Sequence, residues 1–291
     1  MRKRRLVQIV LLLITGIVVF VLWLRWSEPR MLYYPVREIE STPDQLGFNY
    51  EDVTLAASDH VRIHGWFLPA LATASTKGLP RITVLFFHGN AGNISHRFEK
   101  LNVLLALGAD VLIIDYRGYG RSEGTPDEQG TYRDAQAAYV YLTETRRCEP
   151  TALVIYGESL GSAIAAELAS KTEVGGLILE EAFTSVGDVG QKMFPFLPVR
   201  WLVRNKYDTL GKMPRIHAPL LIFHSREDEF FNLRHAQRLL AAANEPKRLI
   251  ELHGSHNDAF LVSAETYRNG LKDFLATLPR PSPSHGNTHL P

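Results

Sequence analysis

Six short, mostly apolar runs punctuate this chain, at residues 82–87, 111–114, 152–155, 177–179, 220–223 and 249–252. A strand wetted on one face alternates polar and apolar residues. These runs do not, so both of their faces must be covered. Amphipathic stretches at 98–107, 131–143 and 233–243 fall between them and read as the covering helices. Residues 53–55 and 61–67 add a β-type hairpin ahead of the series. The pattern predicts an α/β domain with a mostly parallel sheet and helices on both faces. Reactive groups in such sheets collect at the carboxyl ends of the strands, so the residues just after each run are where chemistry is to be sought.

The run 152–155 leads into Gly157-Glu158-Ser159-Leu160-Gly161, and then into the small-residue segment Ser162-Ala163-Ile164-Ala165-Ala166. A serine between two glycines at a strand-to-helix turn is a nucleophile elbow: the turn is sharp, and side chains at the glycines would strike the neighbouring strand and helix. The helix that starts there turns its free amides and positive dipole end toward the hydroxyl. Gly120-Arg121-Ser122-Glu123-Gly124 fits the same expression, but a loop precedes it and Thr125-Pro126 follows, so context favours Ser159 over Ser122.

A serine hydroxyl needs a base to take its proton, and the base needs a carboxylate to orient it. His224-Ser225-Arg226-Glu227-Asp228-Glu229 follows the run at 220–223, and His253-Gly254-Ser255-His256-Asn257-Asp258 follows the last run. Ser159, Asp228 and His256 therefore occur in the order serine, acid, histidine, each just past a strand. Glu180, Glu181, Glu227 and Glu229 compete as the acid and His253 as the base, while Asp258 lies too close along the chain to orient His256. An oxyanion hole requires two N–H donors. The Leu160 amide is one, and the glycine-bearing loop His88-Gly89-Asn90-Ala91-Gly92-Asn93 is placed to give the other. No Gly-Lys-Ser/Thr follows that loop, which excludes a P-loop. The pairs His253/His256 and His60/His64 have zinc spacing but neither has a cysteine nearby or a third ligand, so no metal and no other cofactor is expected.

These segments, with Asp115-Tyr116-Arg117-Gly118-Tyr119-Gly120-Arg121-Ser122, resemble the α/β-hydrolase superfamily, and within it the Bem-type subgroup of single-span, membrane-anchored serine hydrolases. The similarity runs from about Tyr33 to about Phe274. The resemblance implies the α/β-hydrolase fold, Ser159 as nucleophile, Asp228 as acid, His256 as base, and the Asn90 and Leu160 amides as oxyanion donors. One departure is visible: Ser225 stands where a glycine is expected after His224. The segment 115–122 reads as a polar loop bracing the site.

The ends of the chain are of another kind. Residues 6–24 are almost wholly aliphatic and would reach about 28 Å as a helix, close to the thickness of a bilayer core. Bulky residues up to Trp26 argue against a cleaved signal, so 6–26 is expected to be an anchor. Arg2, Lys3, Arg4 and Arg5 outweigh Arg25 and Arg30, which keeps residues 1–5 cytoplasmic and puts the hydrolase domain, 31–278, across the membrane. That side is the periplasm in a bacterium. In a eukaryote Asn93-Ile94-Ser95 would accept a glycan in the active-site loop, which favours a bacterial source. Residues 279–291 are rich in proline and serine and are expected to be disordered. Net charge +1 offers no basic stripe for nucleic acid, and Cys148 alone excludes an intramolecular disulfide. The apolar segment within 184–215 reads as a small cap suited to an acyl or lipid-like substrate, or else as a surface helix packed on the sheet. The expected reaction is hydrolysis of carboxylic esters or thioesters through an acyl-enzyme. A small peptidase or aminopeptidase of the same fold and a non-catalytic membrane-tethered scaffold are the alternatives.

Overall fold

The structure, a computed structural model, describes residues 2–71 and 82–278. Its main sheet holds eight strands among the described residues: β2 (Glu51–Ala56), β3 (Arg62–Leu68), β4 (Thr83–Phe87), β6 (Asp110–Ile114), β7 (Leu153–Glu158), β8 (Gly176–Glu180), β9 (Leu220–Ser225) and β10 (Lys247–Leu252). They lie in the order β10-β9-β8-β7-β4-β6-β3-β2. All pairings from β6 to β10 are parallel, and β3 alone runs against both of its neighbours.

Successive side chains on a strand point to opposite faces, and each face has its own core. Leu85, Leu112, Ile155, Leu179 and Ile222 pack on one side with helices α3 (Glu128–Val140), α4 (Leu160–Ala169) and α7 (Arg234–Ala242). Val84, Val111, Val154, Ile178 and Leu221 pack on the other with α2 (Phe98–Ala106), α8 (Ala259–Val262) and α9 (Ala264–Thr277). This two-sided burial is why the strands carry no polar alternation. Where elements depart from the sequence reading, local bonds explain it. The helix expected at 131 starts at Glu128, because the Asp127 carboxylate accepts the Gly130 amide at 2.8 Å and caps it there. The strand expected at 249 starts two residues earlier, at Lys247, paired along its whole length with β9.

Helix α1 (Arg2–Leu32) is long and apolar enough to cross a membrane. Its 31 residues rise about 46 Å, against about 30 Å for a bilayer core. It does not stop at Trp26: it runs through Pro29 and its last turns lean on the body. Glu28 accepts the backbone amides of Arg204 (2.7 Å) and Asn205 (2.6 Å) and the Asn205 side-chain amide (2.9 Å). Directly beyond α1, β1 (Tyr34–Pro35) pairs with β5 (Ala91–Gly92), and the Tyr33 and Tyr207 hydroxyls bond at 2.8 Å. The stretch 184–215 between β8 and β9 holds two short helices, α5 (Val186–Met193) and α6 (Val199–Leu202), and α6 packs against α1. The tail expected at 279–291 lies outside the described residues.

Candidate active site

Ser159 sits between β7 and α4 with φ 52° and ψ −115°, a backbone state that non-glycine residues rarely adopt. Its neighbours allow the turn only because they lack side chains. A Cβ on Gly157 would strike the Gly161 carbonyl, and one on Gly161 would strike the Phe87 carbonyl of β4. The turn is tied down by the Ser159 amide donating to Glu180 (2.9 Å) and by the Ser162 hydroxyl donating to the Ser159 carbonyl (2.6 Å). The rival Ser122 is fully buried. Its hydroxyl donates to the Asp115 carbonyl and accepts the His64 amide, so it serves the scaffold.

The three side chains picked out in sequence meet above the carboxyl ends of the strands. Ser159 Oγ lies 3.0 Å from His256 Nε2, and His256 Nδ1 lies 2.8 Å from Asp228 Oδ2. Asp228 Oδ1 accepts the amides of Phe230 (2.7 Å) and Phe231 (2.8 Å), which fixes the carboxylate, and both phenyl rings stand edge-on to the imidazole. Burial acts to raise the Asp228 carboxyl, but the bonds from His256, Glu181 and the Phe231 amide outweigh it and hold it below its ordinary value. The rival groups are engaged elsewhere. Glu227 pairs with the exposed His253, Glu229 accepts the His256 amide, Asp258 accepts the Ser255 amide, and Glu180 is buried against Lys100. Ser225, in the place of the expected glycine, donates to the Gly254 carbonyl and so joins the acid loop to the histidine loop.

The loop after β4 is braced from below. Asp115 is fully buried and accepts the Ile94 amide at 3.0 Å, the Tyr116 hydroxyl donates to the His88 carbonyl, and the Tyr119 hydroxyl donates to the Asn90 carbonyl. Asn90 is also held from the side of α1: its side-chain amide donates to the Leu32 carbonyl at 2.9 Å and its carbonyl accepts the Tyr34 amide. Asn93 is wholly buried, and its side-chain amide donates to the carbonyls of Val36 and Glu38. A cavity of about 390 Å³ opens onto Ser159, Asn90 and Leu160, within the range of small-molecule sites.

Residues 82–202 match the family described as alpha/beta hydrolase fold. An uncharacterized protein of Mycobacterium tuberculosis is 35% identical over 276 residues, covering 94% of this chain and 95% of that protein. The bem46 protein of Schizosaccharomyces pombe is 33% identical over 252 residues, covering 82% of this chain and 81% of its own. This chain belongs to the α/β-hydrolase family. The esterase Pf2001 of Pyrococcus furiosus shares the fold, with a TM-score of 0.66 at 23% identity over 85% of this chain and 97% of that one.

The sequence treated Glu181 only as a rival acid, whereas in the folded hydrolase it lies behind Asp228. One potential ligand atom each from Glu181, His224 and Asp228 come within 4.8 Å of one another, the grouping a metal would need. The other bonds of the group tie it to the site: Glu181 accepts the Ser225 amide, and His224 Nε2 bonds the Phe231 carbonyl at 2.7 Å. Burial, and then the adjacent Asp228, push the Glu181 carboxyl up to about 10. This direction favours the protonated form of Glu181 beside an ionised Asp228. Two successive carboxylates ending an apolar strand, Glu180-Glu181, were the signal for such a buried partner.

Proposed function

We propose that this hydrolase is a serine esterase, held at a membrane by α1, that cleaves carboxylic esters or thioesters through an acyl-enzyme. Ser159 Oγ attacks the carbonyl carbon while His256 Nε2 takes its proton, and Asp228 stabilises the imidazolium that forms. The Asn90 and Leu160 amides hold the oxyanion. His256 then protonates the departing alcohol or thiol, and water, activated by the same imidazole, releases the acid and restores Ser159. The observation that carries this reading is the unbroken relay of 3.0 Å and 2.8 Å from Ser159 through His256 to Asp228, facing an apolar cavity. The basic residues Arg2, Lys3, Arg4 and Arg5 ahead of α1 favour a cytoplasmic N-terminus, with the catalytic body on the far side of the membrane.

Fluorophosphonate labelling of the full chain, lost in Ser159→Ala, tests the nucleophile. p-Nitrophenyl esters of graded chain length compared with peptide amides test the bond. Hydrolysis of the esters is expected. A preference for amides would assign the site to peptide cleavage, and an unlabelled wild-type protein would leave only a scaffold.

A further inference from the structure

The cavity at Ser159 has one wall that the hydrolase body does not supply. The body contributes Leu160, Phe183 and Phe231, and the stretch between β8 and β9 contributes Val189, Phe194 and Leu202. The remaining wall is the C-terminal part of α1, with Phe20, Trp23, Leu24, Met31 and Leu32 facing the space. Among the lining residues the polar side chains are Glu28, Asn90 and Ser159. The Glu28 carboxylate is already engaged by the amides of Arg204 and Asn205, so it offers little to a ligand. Chemically this is a slot for hydrocarbon, with the nucleophile and the two oxyanion amides at one place along it.

The slot is continuous with a surface that suits lipid. The same helix is exposed and apolar upstream, and Trp23 and Trp26 stand exposed where a chain leaves a bilayer core. Beside it, the α5–α6 stretch presents Phe196 at 98% and Trp201 at 84% exposure, side chains that are unfavourable in water and suited to an interface. From Phe20 to Leu32 the helical wall rises about 18 Å, room for a long acyl chain lying along it.

We propose that α1 is a specificity-determining wall of the acyl pocket as well as an anchor, and that the substrate is a long-chain acyl ester resident in the bilayer, entering sideways between α1 and the α5–α6 stretch. The proposal rests on the serine-esterase reading above and adds no chemistry to it. The Ser159 oxygen–acyl carbon bond forms as the bond to the alcohol breaks, His256 returns the proton to that alcohol, and water completes hydrolysis.

The test uses the full chain in phosphatidylcholine nanodiscs and reads the ratio of kcat/KM for a p-nitrophenyl hexadecanoate to that for the acetate. Leu24→Trp, which fills the slot from the α1 side, is expected to lower this ratio about tenfold or more, a shift within the range of hydrophobic-pocket discrimination. Leu12→Trp, on an exposed stretch of α1 remote from the cavity, is expected to leave it unchanged. Leu24→Ala provides the opposite perturbation should the tryptophan variant fail to fold, and should change the chain-length optimum. An unchanged ratio in both Leu24 variants overturns the wall. A long-chain ester embedded in the same disc should be cleaved faster than one held in separate vesicles, and equal rates overturn entry from the bilayer. Loss of acetate hydrolysis and of fluorophosphonate labelling in the wild-type protein would instead strike the esterase reading itself.

Discussion

The strained backbone at Ser159 sets an activity against a stability. Ser159→Ala keeps the same positive φ, so its fold should be preserved while ester hydrolysis falls by about 10⁴-fold or more, as measured by kcat/KM on p-nitrophenyl esters. Ser159→Gly removes the Cβ that makes this conformation costly. It should be inactive yet more resistant to urea, by about 1 kcal/mol. A glycine variant no more stable than the wild type would mean that the elbow stores no strain. Behind the site, Glu181 supplies a pH signature. Its folded value of about 10 lies above the ordinary 4.5, so the native state keeps a proton that the unfolded chain releases within that window. Stability from this group is fully present below pH 4.5 and declines as pH rises toward 10. Glu181→Gln retains a donor for Asp228 without titrating, so it should gain stability relative to the wild type between about pH 5 and about pH 9. Parallel urea midpoints across that range would show that Glu181 is ionised in the native state.

Between elements, the elbow strand is underpinned by charge. Lys100 of α2 is buried with Glu180 of β8 at 2.7 Å and Glu158 of β7 at 3.1 Å, and Tyr156 and Tyr267 complete the Glu180 shell. Burial works against the Glu158 carboxylate, yet Lys100 and Arg97 keep its pKa low. Lys100→Met would leave Glu180 without its cation and Glu158 with only the more distant Arg97, 4.0 Å away, and should cost about 3–5 kcal/mol in urea unfolding. Central elements such as these were readable in the sequence, because burial on both faces erases polar alternation from 82–87, 111–114 and 220–223. Ser159, Asp228 and His256 were readable too, because each follows a strand and the turn at Ser159 demands glycines. What escaped depended on partners remote in sequence. The sequence reads as an anchor ending at Trp26, yet α1 continues to Leu32, and in that extension the Glu28 carboxylate meets the Arg204 and Asn205 amides. Asn90 shows no hint along the chain of its bond to Leu32.

For the molecule as a whole, the basic residues before α1 and the apolar helix make one topological expectation. Alkaline phosphatase fused after residue 278 should be active in Escherichia coli, and a green fluorescent protein fused there and exported by the same route should be dark. The reverse outcome would put the body on the cytoplasmic side. Asn93 carries a practical consequence at this scale. Its amide nitrogen is sealed inside the fold and spent on the carbonyls of Val36 and Glu38. Oligosaccharyl transfer acts on nascent chains, before that nitrogen is hidden, so a secretory expression host would load a sugar onto an atom that must later be packed away. Yield from yeast or insect secretion should therefore be poor, and Asn93→Gln would not repair it, since the longer side chain cannot repeat the same two bonds.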